Sequence, residues 1–83
     1  MSSKTQNERI LFGLKVKQLR QSQGFSFAAL SKASKLSVSY LNEIEKGKKY
    51  PKPDKIETLA GALGVPVAQL TSFELSKSMA PVG

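Results

Sequence analysis

Eighty-three residues, 40% of them hydrophobic, suffice for one small domain with a modest core. The chain has no cysteine and no histidine, which removes disulfide staples, thiol nucleophiles and the usual soft metal ligands. Thirteen Lys and Arg against six Asp and Glu leave a net charge of +7, a balance that favours a polyanionic partner.

Residues 1–7 are polar and read as a flexible N-terminal tail. Thr5 and Glu8 have the spacing of a capping box, so a first helix is expected from near Asn7 to about Gln23, stopped by Gly24. Phe12, Val16 and Leu19 form its core stripe, with Gln23 on the same face. Ser26 caps a short second helix, Phe27 to Ser34, on which Ala29, Leu30 and Ala33 are expected to pack closely. Lys35-Leu36 is the turn. Ser37 then caps a third helix from Val38 to Lys46, stopped by Gly47.

Lys48 to Lys52 form a basic loop containing Tyr50 and Pro51. Pro53 opens a fourth helix, with Asp54 and Glu57 near its positive end. Ile56, Leu59, Ala60 and Leu63 make its inner face, and Gly64 ends it. A fifth helix begins at Val67, with Leu70 and Phe73 inward. No strand pattern, repeat or low-complexity tract appears. The expectation is an all-α domain of five helices over residues 8–71, followed by a C-terminal extension over 72–83. Ile10, Leu11 and Leu14 lie off the main stripe of helix one. Phe73, Leu75, Met79 and Val82 continue past helix five, and the expectation is that this tail folds back over helix one. The alternative is an interface with a second copy or a further domain.

The third helix divides cleanly at 100° per residue. Tyr40, Leu41, Ile44 and Glu45 share one side; Val38, Ser39, Asn42, Glu43 and Lys46 share the other. Small polar side chains let a helix backbone approach base edges, asparagine can read adenine bidentately, and a valine methyl can meet a thymine methyl. Ser26 and Ser37, each at a helix N-terminus, would offer backbone N–H groups to phosphates. Lys46, Lys48, Lys49, Lys52 and Lys55 fall within ten residues, opposed there only by Asp54. An ordinary solvated face is the competing reading of this arc. A membrane surface is disfavoured, because no wide apolar face lies beside the lysines. With no apolar run near the roughly 18 residues of a membrane span and no signal-peptide hydrophobic region, a cytoplasmic protein is expected.

Gly13, Leu19-Arg20, Gly24, Ser26, Leu30, Leu36-Ser37, Leu41, Ile44-Glu45, Gly47 and Pro51 occur in an order and spacing that resembles the Cro/lambda-repressor-type helix-turn-helix family, also called the xenobiotic-response-element family. The resemblance continues through Leu59-Ala60, Leu63 and Val65, covering roughly residues 9–71. It implies a lambda-repressor-like domain in which helices two and three form the helix-turn-helix. It also implies a transcriptional regulator that binds double-stranded DNA, as a homodimer on inverted half-sites, with helix three in the major groove.

By that resemblance the base-reading positions fall on Val38, Ser39, Asn42 and Glu43. Phosphate contacts fall on Ser26, Ser37, Tyr40, Lys48, Lys49, Tyr50 and Lys52. Glu43 must accept from a cytosine amino group or face away. Tyr40 is expected to mix roles, its ring packed and its hydroxyl available to DNA. Arg20 and Glu45 correspond to an internal ion pair that fixes how helix three is presented. The family usually carries Gln where this chain has Phe27, which removes a phosphate donor and makes Phe27 a packing residue or an edge against DNA or a partner domain. In this family the domain often precedes a larger effector or sensor region, so an additional effector domain or protein partner is compatible with the pattern. The scattered carboxylates and the lack of a Gly-rich phosphate loop point away from an enzyme, and no metal or cofactor is expected. The rival reading is an antitoxin-like or adaptor protein whose main partner is another protein.

Overall fold

The computed structural model describes residues 6–71. These form five helices in chain order: α1 (Gln6–Ser22), α2 (Phe27–Ser34), α3 (Val38–Glu45), α4 (Pro53–Leu63) and α5 (Val67–Leu70). Among the described residues there is no strand. The element limits agree with those expected to within a residue or two, the scatter usual where helix ends fray. The Thr5 capping box, and the return of Phe73, Leu75, Met79 and Val82 over helix one, lie outside the described residues.

Apolar spacing explains the packing. Phe12 and Val16 of α1, Leu30 of α2, Leu41 and Ile44 of α3, Leu59 and Leu63 of α4 and Leu70 of α5 converge in one core, each at 0–1% exposure. Burying such side chains contributes about 1.5–3 kcal/mol apiece, and more than a few are needed to offset the ordering entropy of so short a chain. Leu19, Phe25, Phe27, Tyr40 and Tyr50 pack around its rim, partly buried. Gln23 ties α1 to the end of α4 by donating from Nε2 to the Leu63 carbonyl at 2.6 Å.

One feature departs from expectation. Ala29 and Ala33 are exposed; the buried positions of α2 are Leu30 and Ser34. Ser34 tolerates burial because its Oγ accepts from the Leu36 amide at 3.2 Å, inside the turn. The close helix approach falls instead at Gly13, where α1 crosses α3. A Cβ there would lie 2.9 Å from the Glu45 carbonyl oxygen and closer still to that of Ile44. Ile10, Leu11 and Leu14 remain exposed at 39%, 45% and 49%, so the described core does not absorb this strip.

Candidate nucleic-acid interface

The α2–turn–α3 unit is set by local backbone chemistry. Ser26 and Ser37 each stand in extended conformation just before a helix, and each Oγ accepts from the amide three residues on, Ala29 and Tyr40, at 3.0 Å. Capping uses each serine oxygen as an acceptor and leaves its O–H proton able to donate outward. The amides at the first two positions of each helix precede the first intrahelical acceptor and face the same way. Between the helices Lys35 adopts the left-handed conformation, φ 64°, with its amide donating to the Ser31 carbonyl at 2.7 Å. That geometry, uncommon for a residue with a Cβ, reverses the chain and buries Leu36.

α3 is held from behind by an ionic clasp. Arg20 donates from Nε and Nη2 to the two oxygens of Glu45 at 2.6 and 3.1 Å, and from Nη1 to the Phe25 carbonyl at 2.9 Å. The Phe27 ring lies 4.1 Å from the guanidinium carbon, a stacking that desolvates the pair further. One side chain therefore joins α1, the start of α2 and the end of α3. Phe27 is partly buried against the core, as the packing role among those expected of it requires.

With Leu41 and Ile44 buried, the opposite arc is pushed outward: Val38 is 43% exposed, Ser39 and Lys46 are exposed, and Asn42 and Glu43 are half-buried. The chain then turns at Gly47, φ 79°, and the Lys48 amide donates to the Glu43 carbonyl at 2.9 Å. The loop is anchored underneath by Pro51, which is buried, and by the Tyr50 ring, 4.8 Å from that of Phe12 at an interplanar angle of 54°. Anchoring the apolar residues leaves Lys48, Lys49 and Lys52 exposed.

Lys52 is the residue before α4, has no side-chain capping bond, and puts a positive charge at the positive end of a helix dipole. That choice costs stability and suits an anion. An open groove of about 560 Å³ runs beside the start of α3, and Ser37, Tyr40, Lys49, Tyr50 and Lys52 line it together with Lys35 and Lys55. Neither of the last two is among the phosphate contacts that the family resemblance implies. The three-residue step from Lys52 to Lys55 around the first turn of α4 is a signal for Lys55, whereas Lys35 reaches the groove through a left-handed turn that its residue type does not announce. Tyr40 is half-buried, and burial, helped by the Asp54 charge, raises its phenol above the ordinary value of 10.0. Glu43 and Lys49 form an exposed ion pair at 3.5 Å. Among the described residues no cluster of metal-ligating side chains occurs, and no helix is long and apolar enough to cross a membrane.

Two capped helices at a tight turn, the second presenting a small-polar arc beside a lysine-lined groove, define a helix-turn-helix DNA-binding domain. The chain belongs to the helix-turn-helix domain family, whose family model matches residues 11–73. It is similar to the control protein C.BamHI of Bacillus amyloliquefaciens, 39% identical over 70 residues, covering 83% of this chain and 86% of that protein. Its fold matches the restriction-modification controller protein C.AhdI from Aeromonas hydrophila with a TM-score of 0.75 at 30% identity, covering 77% of this chain and 97% of that one. The clp gene regulator ClgR from Corynebacterium glutamicum superposes with a TM-score of 0.74 at 32% identity, over 87% of this chain and 76% of its own.

Proposed function

We infer that this protein is a sequence-specific, double-stranded DNA-binding transcriptional regulator that acts in the cytoplasm without chemistry of its own. The observation that carries the reading is the outward arc of α3, held rigidly from behind by Arg20, Gly13 and the buried Leu41 and Ile44. Val38, Ser39 and Asn42 face base edges in the major groove, where valine meets a thymine methyl and asparagine pairs with adenine. Glu43 reaches a base edge only where a cytosine amino group is presented. Ser26 and Ser37, with the free amides behind them, take phosphates on either side. The exposed lysines 48, 49 and 52, joined by Lys35 and Lys55, hold the backbone, and Tyr40 and Tyr50 contribute hydroxyls at the groove wall.

Two copies docked on inverted half-sites would place their α3 helices about 34 Å apart. The similarity to two controller proteins, one described as a restriction-modification controller, supports control of restriction-modification genes as the more specific role. Selection of bound sites from random duplexes tests the reading. The expected outcome is an enriched pair of inverted half-sites with centres roughly 10 base pairs apart. No enrichment refutes sequence-specific recognition. A second reading, docking of a protein partner, draws on the exposed strip Ile10, Leu11 and Leu14; a binding constant for DNA independent of salt would favour it.

A further inference from the structure

The outer arc of α3 carries one residue whose charge opposes its task. Glu43 faces the surface on which phosphates would lie, and a carboxylate pushed toward two sugar-phosphate walls is repelled by both. The structure shows how that charge is masked. The Lys48 amide is bonded to the Glu43 carbonyl at 2.9 Å, which folds the loop back along the last turn of α3. The Lys49 ammonium then sits 3.5 Å from a Glu43 carboxylate oxygen and 5.8 Å from the centre of the Tyr40 ring. Tyr40 and Glu43 are three residues apart, so they form neighbouring steps on one edge of the helix. Lys49 is thus laid across that edge, balanced by a carboxylate and a ring face. The two side chains of the pair are 53% and 43% exposed, so the contact is one that water and salt can open.

We propose that Glu43 acts through Lys49 as a charge gate on DNA selection. This rests on the DNA-reading role inferred above. On duplex of arbitrary sequence the pair stays closed: Lys49 is occupied, and one phosphate contact is withheld. Where a cytosine amino group faces the helix, it can take over the carboxylate as acceptor. Lys49 is then released to a phosphate, and two contacts form for the one that breaks. Glu43 thus meets the base and sets where Lys49 can go, and its negative charge lowers affinity for wrong sites more than for the right one.

The test is the salt dependence of binding for the whole chain, measured by fluorescence anisotropy on a mixed-sequence duplex and on a selected site. Glu43→Gln should tighten mixed-sequence binding by up to about fivefold, the range open to an exposed pair of this kind. It should steepen the fall of log K with log salt by about 0.9, the increment for one extra phosphate, and reduce the preference for the selected site. On a Lys49→Gln background the same substitution should leave the slope unchanged. An unaltered slope and mixed-sequence affinity in Glu43→Gln, or equal effects in both backgrounds, overturns the gate while the parent's steep slope leaves the DNA reading standing. A flat slope in the parent overturns both.

Discussion

Replacing Arg20 with methionine removes three hydrogen bonds at once, two to Glu45 and one to the Phe25 carbonyl. Methionine keeps most of the stem volume and can still pack on Phe27, so a cavity is a minor part of the effect. What remains is a Glu45 carboxylate whose side chain is only 5% exposed, with its cation gone. Breaking one side of a buried pair in this way costs about 3–5 kcal/mol. A small domain has roughly 5–15 kcal/mol in all, so the loss takes a large share. In a domain of this size each kcal/mol lowers the melting temperature by about 4–8 °C, and the expected fall is roughly 12–40 °C, read by circular dichroism. The double substitution Arg20→Met with Glu45→Met should melt above the single one, because no charge is stranded. A single variant melting within a few degrees of the parent would falsify the view that this clasp fixes α3.

Gly13→Ala sets two effects against each other. The helix gains about 1 kcal/mol of propensity, while a methyl pressed on the Ile44 and Glu45 carbonyls, which are backbone and cannot rotate away, costs about 1–3 kcal/mol or more. A lower urea midpoint is expected, and a raised one contradicts the close crossing. Stability should also fall as pH rises through about 10, because the folded Tyr40 phenol, raised above 10.0, keeps a proton that the unfolded chain releases. Tyr40→Phe should flatten that alkaline fall, and an unchanged profile removes Tyr40 as its source. Asn42→Ala should relax preference at one base pair by about 1–3 kcal/mol, whereas Lys52→Ala should weaken all duplexes alike and lower the salt slope by about 0.9. Competition binding across single-base variants of a selected site separates the two.

Helix order and ends were readable because capping chemistry is local. Ser26, Ser37, Pro53, Gly24, Gly47 and Gly64 act on their own few neighbours, and a sequence carries that information directly. The division of α3 was readable for the same reason, since burial of Leu41 and Ile44 follows from their three-residue step. What could not be read were choices made between elements. Ala29 and Ala33 have the size for a close contact, yet the helices meet at Gly13, because only the tertiary arrangement sets which small residue faces a backbone. The stack of Phe27 on Arg20 and the Glu43–Lys49 pair likewise arise from side chains brought together by folding. Lys35 and Lys55 are twenty residues apart in the chain and line one groove.

If the protein reads DNA, the exposed arc of α3 and the loop after it are the surface that meets the duplex. Titrating the isotopically labelled protein with a selected duplex, and following its backbone amide resonances by NMR, shows which surface is covered. The largest shifts should fall on Val38, Ser39, Asn42 and residues 46–49, with the buried Leu59 and Leu63 little changed. Shifts concentrated on Ile10, Leu11 and Leu14, with α3 silent, would contradict it.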